Sequence, residues 1–249
     1  MHVLRLTLLT FLFAFLTPLA LHAAWWLSVD SAVAWSDADW SSAHLLPQAR
    51  AKPEAVVHVH AARTGRWKGI FAHHSWLVVK EKGSSTYTRY DKTAWGRPVK
   101  VNNWAPDARW YGHRPVLVGS LEGPQAQALI PKIRAAVARY PYNRLGGYTL
   151  WPGPNSNSFV AYVLAEVPEI GIALPPTAMG KDFRGWSDVL GLTPSHTGIQ
   201  VSLAGLFGIT IGWVEGIEVN VLGLVTGIDI RRPALKIPGF GRIGVGTVA

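Results

Sequence analysis

Three observations predict an α+β fold for this chain. Short stretches between residues 55 and 121 alternate apolar and polar residues, which is the period of a β-strand. Residues 124–140, and the run that begins at Phe159, repeat apolar residues at helical spacing. From Thr197 onward, glycines separate further alternating stretches, a pattern typical of a β-meander. We therefore expect an antiparallel sheet packed with helices, followed by a C-terminal glycine-rich β-meander.

Residues 1–27 predict a signal peptide or an uncleaved membrane anchor. Arg5 precedes an apolar run over 6–27 that only threonines, one proline and one histidine interrupt. Small residues at 22–24 offer a cleavage site, although the apolar run continues to Leu27. Cleavage and anchoring both stay open, with a buried core helix as a third alternative. The expected location is the cell envelope, in the periplasm, with anchoring to the inner membrane if the segment is retained.

Composition narrows the function classes. The 249 residues contain no cysteine, which excludes thiol catalysis and thiolate metal sites and is ordinary for a bacterial envelope protein. Net charge is +9, and thirteen Lys or Arg residues lie between Arg50 and Arg114 against four acids. Outside the cytoplasm such a segment would attract anionic phospholipid, lipopolysaccharide or peptidoglycan, or would simply be a solvated basic face. The export signal argues against a nucleic-acid partner, and no cofactor is predicted.

We divide the chain into four parts. Residues 28–53 form a connector with one helical turn, 54–195 the main α+β domain, and 196–249 the β-meander packed on it. Predicted strands in the main domain cover 55–62, 69–80, 86–90, 99–104 and 115–121. Pro124 begins the clearest helix and Pro141 marks its end. The stretches 181–186 and 189–192 are expected to be irregular.

The meander is predicted to have one apolar and one polar face. Its expected strands are 198–203, 209–213, 217–221 and 228–231. The apolar face must lie against the main domain, another subunit or lipid, and we expect the main domain.

His58 and His60 lie two residues apart on a predicted strand, so their side chains point to the same face. Imidazoles in this arrangement can bind a metal, but no third ligand accompanies them at a recognisable spacing. We therefore interpret them as ordinary strand histidines and predict no metal site.

The motif loop, residues 151–159 (Trp-Pro-Gly-Pro-Asn-Ser-Asn-Ser-Phe), leads from a rigid turn into a helix. Asn155 or Ser156 would lie at the helix start, where unpaired backbone N–H groups and the positive end of the helix dipole lie. Such a position suits an N-cap, an anion site or an activated nucleophile.

His74, at the start of a predicted central strand, is the candidate partner of Ser156. A serine hydroxyl is a weak nucleophile until a base takes its proton, and histidine is the usual base. The helix start would supply donors for an oxyanion. A histidine satisfied inside the core and a serine N-cap are the alternatives. The loop 105–113 combines aromatic, charged and amide groups, which suits the wall of a cleft.

His74-Ser75-Trp76-Leu77-Val78, followed by Asn155-Ser156-Asn157-Ser158-Phe159, resembles the permuted papain-like group that includes the lecithin:retinol acyltransferase, deSUMOylating isopeptidase and some NlpC-type families. The resemblance implies a permuted papain-like fold over roughly 54–170. It places the group's histidine base on His74 and its cysteine nucleophile on Ser156. Serine in place of cysteine removes the low pKa on which the cysteine–histidine ion pair depends.

The chain as a whole is similar to an uncharacterised bacterial envelope family, domain of unknown function 3750. This resemblance rests on the His-Ser-Trp strand, on 106–112 (Pro-Asp-Ala-Arg-Trp-Tyr-Gly), on the motif loop and on the glycine-rich tail. It covers nearly everything after residue 27 and implies no activity.

Two hypotheses follow. In the first, Ser156 and His74 form a dyad for hydrolysis or acyl transfer of amides or esters in envelope material. The remaining candidate residues would form the oxyanion hole or cleft (Asn155, Asn157, Trp151, Trp76), or orient the imidazole and bind substrate (Tyr87, Asn103, Asp107, Arg109, Trp110, Tyr111, His113). In the second, the protein is a non-catalytic envelope binding or scaffold protein, and Ser156 is only an N-cap.

Overall fold

A computed structural model describes residues 2–29 and 34–246. A continuous N-terminal helix consists of α1 (His2–Phe11), a π-helical segment (Leu12–Leu16) and α2 (Thr17–Val29). Within the described chain it is the one helix that is long and apolar enough to cross a membrane. It is thus compatible with a signal peptide or a membrane anchor.

The connector is mostly turns and bends from residue 34 onward, with one 3₁₀ turn at Ala49–Ala51. Its first residues, 30–33, fall outside the described residues, as do 247–249 of the predicted meander.

The first sheet has five antiparallel strands in the order β4-β3-β2-β1-β5, which agrees with the predicted strands. Helices α3 and α4 follow it along the chain. The elements are β1 (Val56–Arg63), β2 (His73–Lys80), β3 (Thr88–Lys92), β4 (Val99–Val101), β5 (Val116–Glu122), α3 (Gly123–Arg139) and α4 (Ser156–Glu166).

The two faces of this sheet have different partners because successive side chains on a strand point to opposite sides. On β2, Leu77 and Val79 face the main core, where they meet α3 and α4. Trp76 and Val78 face the other way and pack with Trp110 from the 105–113 loop. The first sheet therefore lies between a helical layer and a layer of loops.

The second sheet is a seven-stranded antiparallel meander in the order β12 to β6. It starts at Leu190, where the sequence analysis expected irregular chain, because residues 190–192 pair with 199–201. Its strands are β6 (Leu190–Leu192), β7 (Gly198–Leu203), β8 (Phe207–Gly212), β9 (Gly216–Val221), β10 (Leu224–Asp229), β11 (Ala234–Ile237) and β12 (Gly241–Gly244).

The expectation that the apolar face of the meander packs on the main domain is wrong. The face that packs inward carries buried polar residues, among them Gln200, Ser202, Thr210, Glu218, Asn220 and Lys236. The opposite face is solvent-exposed and apolar, with Ile199, Val201, Leu203, Phe207, Ile209, Ile211, Ile217, Val219, Ile228, Leu235 and Ile243. Thr226 is the only polar residue at the outward strand positions of the described chain.

A buried network of charges explains this inversion. Lys181 and Asp182, from the loop after α4, meet the polar face of the meander. Lys181 bonds Asp182 at 2.9 Å and Glu218 at 2.5 Å, and Glu218 also bonds Lys236 at 2.5 Å. The amide of Asn220 donates to the second oxygen of Asp182 at 2.9 Å. Since buried charges must be paired, this face fits the main domain better than an apolar one would.

The N-terminal helix packs against both parts of the molecule. Its π-helical segment lies against β10. His22 meets Phe240 in the turn between β11 and β12, with ring centroids 4.9 Å apart. Further along, the indole of Trp26 donates to the carbonyl of Arg66 at 3.2 Å. The helix and the meander are therefore neighbours.

Candidate functional site

The candidate site is centred on His74 at the beginning of β2. Its Nε2 lies 2.8 Å from Oδ1 of Asp91, which is on the neighbouring strand β3. Because a carboxylate can only accept, Nε2 carries the proton and Nδ1 keeps the lone pair. A base oriented in this way is chemically competent to take a proton at Nδ1.

Arg89 holds Asp91 in place. Its Nε donates to Oδ2 at 2.6 Å and its Nη2 to Oδ1 at 3.0 Å, a bidentate pair that is fully buried. The guanidinium also lies 4.0 Å from the centroid of the Trp76 ring, in cation–π geometry. The charges of Arg89 and Asp91 thus neutralise each other next to the imidazole of His74.

These charges fix the protonation states. Burial lowers the pKa of His74 more than Asp91 raises it, so the ring is neutral near pH 7. Burial alone would raise the pKa of Asp91, but Arg89 and the hydrogen bonds from His74 and Arg89 outweigh it and lower that pKa. Asp91 is therefore a carboxylate beside a neutral histidine.

An aromatic layer covers the imidazole. Trp110 stacks on His74 with ring centroids 3.7 Å apart and planes 6° apart. Trp40 and Trp104 pack edge-on against Trp110, with centroids 5.1 and 5.2 Å away. His74 is consequently only 4% exposed.

In the motif loop, Asn155 rather than Ser156 is the N-cap of α4. The side-chain oxygen of Asn155 accepts from the backbone N–H groups of Asn157 and Ser158 at 2.9 and 3.1 Å. The hydroxyl of Ser158 in turn accepts from the backbone N–H of Asn155 at 2.7 Å, which completes a capping box.

Asn157 and Lys92 fasten this loop to the first sheet. Asn157 accepts from the hydroxyl of Ser75 at 2.6 Å and donates to the carbonyl of His73 at 2.9 Å. The buried ammonium of Lys92 donates to the carbonyls of Gly147 at 2.5 Å and Pro154 at 3.3 Å. Burial lowers the pKa of Lys92 to about 7. The helix start is therefore held in register with β2.

Ser156 neither caps α4 nor fastens the motif loop to the first sheet. It is 4% exposed, and within the described chain its hydroxyl forms no hydrogen bond, unlike the side chains of Asn155, Asn157 and Ser158. The role of N-cap that the second hypothesis gave to Ser156 is wrong, since Asn155 has that role.

The structure does not join Ser156 to His74. Ser75 points toward α4, as its bond to Asn157 shows, so its neighbour His74 points to the opposite face of the sheet. There His74 contacts Asp91 and Trp110, and among the described residues no hydrogen bond links it to the Ser156 hydroxyl. The dyad stays a prediction.

The expected orienting residues lie elsewhere. Asp107 accepts from the hydroxyl of Ser42 at 2.6 Å and from the backbone of the connector, which it fastens to the domain. Arg109 donates to the carbonyl of Ser42 at 2.8 Å. Asp91 takes the orienting position, and its signal was the charged, strand-spaced pair that it forms with Arg89.

The remaining candidates have other contacts. Trp151 donates to the carbonyl of Leu222 at 2.9 Å and thus touches the meander. The hydroxyl of Tyr87 donates to Pro47 at 3.2 Å, Tyr111 joins the aromatic layer beside Trp40, and His113 lies against Trp26. Asn103 is exposed.

His58 and His60 share a buried face, with ring centroids 5.8 Å apart. Burial lowers their pKa values to about 4 and about 3. The described residues contain no cluster of three or more His, Cys, Asp or Glu that could hold a metal.

The basic segment between Arg50 and Arg114 is not one surface. Lys80, Arg89 and Lys92 are buried and bond carbonyls or Asp91. Only the remaining cations are available to attract anionic material.

Comparison with known proteins shows the family of this chain. A family model described as a protein of unknown function (DUF3750) matches residues 54–183 of the 249. The chain belongs to this family. The matched range holds the first sheet, both of its helices and the His74 and Ser156 positions, and it ends before the meander. No curated protein and no solved structure matches the chain.

Proposed function

We propose that this chain is a non-catalytic binding protein of the bacterial cell envelope, held at the membrane by its N-terminal helix, with the outer face of its meander on lipid. The observation that carries the proposal is the outer face itself. Seven strands present only apolar side chains and Thr226 outward, over a surface roughly 30 Å across and 20 Å along the strands. Patches of this size on soluble monomers mark an interaction site.

Lipid is favoured over a second protein copy because the N-terminal helix adjoins the meander. An apolar helix of 28 residues can span a bilayer, and its central segment lies against β10. Any membrane that holds this helix therefore lies close to the meander. The exposed Trp25 near the end of the helix matches the aromatic residues that anchor proteins at a membrane interface.

Packing supports retention of the N-terminal segment. His22 and Trp26 are buried against Phe240 and the 66–70 turn, so cleavage after residue 24 would remove one half of this contact. The absence of cysteine and the apolar leader agree with a periplasmic location. Mass spectrometry of the purified protein would detect the full-length chain, whereas a mass that begins at Ala24 or Trp25 would contradict retention.

The non-catalytic part is supported by the Ser156 hydroxyl, which no histidine of the described residues bonds. Hydrolysis by a Ser156–His74 dyad needs the imidazole within about 2.6–3.2 Å of the hydroxyl, or somewhat more without ligand. His74 instead lies on the far face of the sheet, bonded to Asp91 and covered by Trp110.

A second candidate function is hydrolysis or acyl transfer by Ser156 on a permuted papain-like fold. It is favoured by the unbonded hydroxyl of Ser156 at the start of α4 and by the position of His74 on β2. A fluorophosphonate probe separates the two candidates. We expect no labelling of the wild type, and labelling lost in both Ser156→Ala and His74→Ala would establish the enzyme instead.

The lipid contact is tested with full-length protein in bilayers. Because the chain has no cysteine, Ile209→Cys places a single environment-sensitive fluorophore on the outer face. Leu145→Cys, on an exposed loop of the main domain, is the matched control. We expect brominated lipids to quench the label at 209 and to leave the label at 145 unchanged.

A label at 209 that is unquenched would overturn the proposal. If the same label instead forms disulfide-linked or excimer pairs between chains, the outer face is an interface between copies.

A further inference from the structure

A cavity that His74 does not line lies between the main domain and the meander. It has a volume of about 660 Å³, within the usual range of small-molecule sites. One wall is formed by β5 and the loop 169–177, and the other by β10, β11 and β12. The seam between the two sheets therefore contains an open chamber.

Its described lining is strongly basic. Six Lys or Arg residues face two acids there. Both acids already have cations, since Glu169 pairs with Lys132 at 2.5 Å and Asp229 with Arg242 at 2.8 Å. Lys236 is paired with Glu218. Four cations of the lining have no acidic partner among the described residues, namely Arg63, Arg114, Arg231 and Arg232.

Buried polar atoms in the lining of both walls have no partner among the described residues. The hydroxyl of Thr177, a residue only 3% exposed, makes no hydrogen bond, and neither does Nδ1 of His73 or Nη1 of Arg242. A buried polar atom without a partner costs roughly 1–3 kcal/mol, so such a cluster is typical of a site completed by a ligand.

The guanidinium of Arg242 is fixed for such a role. Its Nε is bonded to Asp229 and its Nη2 donates to the carbonyl of Arg232 at 2.5 Å, which leaves Nη1 as the free donor. The Arg63 guanidinium donates only to the carbonyls of Gly69 and Gly239, at 2.9 and 2.6 Å. Burial lowers the pKa of Arg63 to about 10, so it keeps its charge at neutral pH.

Much of the remaining lining is apolar, with Val116, Val118, Leu121, Ile172, Leu174 and Phe240. Phe240 connects the chamber to the membrane side, because its ring packs on His22 of the N-terminal helix. Arginine donors and a hydroxyl suit a phosphate, and the apolar wall suits an alkyl chain.

We infer that this chamber binds a phosphate-bearing lipid, with Thr177, Arg231 and Arg242 on the phosphate and the β5 wall on the acyl chain. The lipid source rests on the proposed membrane attachment. Inorganic phosphate has the phosphate group without acyl chains, and diacylglycerol has the acyl chains without a phosphate. Binding of these two compounds therefore tests the phosphate contact and the acyl contact separately.

The test is a calorimetric titration of the full-length protein in an uncharged detergent with short-chain phosphatidic acid, short-chain diacylglycerol and inorganic phosphate. We expect saturable binding of phosphatidic acid and at least about tenfold weaker binding of the other two. Equal affinity for inorganic phosphate would overturn the lipid assignment. Equal affinity for diacylglycerol would overturn the phosphate assignment, and the absence of saturable binding would overturn both.

Variants locate the site. Thr177→Val with Arg231→Gln should weaken phosphatidic acid binding about tenfold or more, whereas Arg144→Gln, an exposed arginine outside the chamber, should not. Unchanged binding in the double variant overturns the location. If the double variant has a lowered unfolding temperature, Arg114→Gln on the exposed rim replaces it, with the same expected direction.

The two proposals fail separately. The chamber variants should leave bromolipid quenching at position 209 unchanged, because Ile209 is on the outer face and outside the chamber lining. A chain that is quenched at 209 but binds no phosphatidic acid would retain the membrane proposal and lose the chamber.

Discussion

The two sheets bury side chains of opposite polarity. The first sheet buries apolar side chains such as Leu77 against α3 and α4. The second turns its apolar side outward and buries Glu218, Asn220 and Lys236 against the same domain. Apolar packing tolerates changes of shape, whereas a buried polar face needs every charge to be matched. An outward apolar face of this size fits the apolar partner that we propose.

The largest effect should come from breaking the polar seam. Glu218 bonds both Lys181 and Lys236, so Glu218→Gln leaves buried cations without full compensation. We expect a loss of about 3–5 kcal/mol in the free energy of unfolding, measured by denaturation in detergent. Glu81→Gln, which breaks an exposed pair with Arg134, is the control and should cost less than about 1 kcal/mol. Equal losses would show that the seam is not the stabilising contact.

The second-largest loss of stability is expected from a change in the apolar core of the first sheet. Leu77→Ala should cost about 2–5 kcal/mol, since the residue is fully buried among α3 and α4. Denaturation of the two proteins under the same conditions gives the difference. A loss below about 1 kcal/mol would mean that this face is not packed as described.

The alternation of apolar and polar residues along the strands predicts only part of this difference between the two sheets. A period of two shows that His58 and His60 share a face, and that the meander has one apolar and one polar side. It does not show which side meets the domain, because that depends on Lys181 and Asp182, charged residues of the loop between α4 and the meander.

The same limit applies to the candidate site. The strands of the first sheet, α3 and the helix start at 155–156 followed from spacing, prolines and capping residues, whereas β6, β11 and β12 of the meander were not predicted. The face of the sheet to which His74 points could not be predicted. The order of the two motifs along the chain places the histidine on a strand, but it does not show which face of the sheet α4 covers. The spacing of Asp91 from Arg89 places both on one strand face, but alternation does not show that His74 lies beside them.

Acid should weaken the first sheet through its buried histidines. Burial lowers the pKa of His60 to about 3, below its unfolded value, so the unfolded chain binds the proton first and stability falls as the pH drops below about 6.5. Between pH 7 and pH 5, His60→Phe should lose about 2 kcal/mol less than the wild type in the free energy of unfolding. Parallel pH profiles for the two proteins would contradict a buried neutral imidazole.

The smallest effect is expected on the outer face of the meander. Ile209→Thr keeps a β-branched side chain on an exposed strand position, so the free energy of unfolding in detergent should change by less than about 0.5 kcal/mol. Set against Leu77→Ala, this variant tests whether the two sheets bury opposite faces. A loss as large as that of Leu77→Ala would mean that Ile209 is packed inside the protein.

The most direct test of a lipid-facing meander is a spin-label accessibility measurement in bilayers. Single cysteines at Ile199, Ile209, Val219 and Leu235 sample four strands of the outer face, and Leu145 again serves as the aqueous reference. We predict that all four labels on the outer face are more accessible to oxygen than to a water-soluble nickel complex, relative to position 145. Accessibility at the four sites that matches position 145 would place the outer face in water and contradict the proposal.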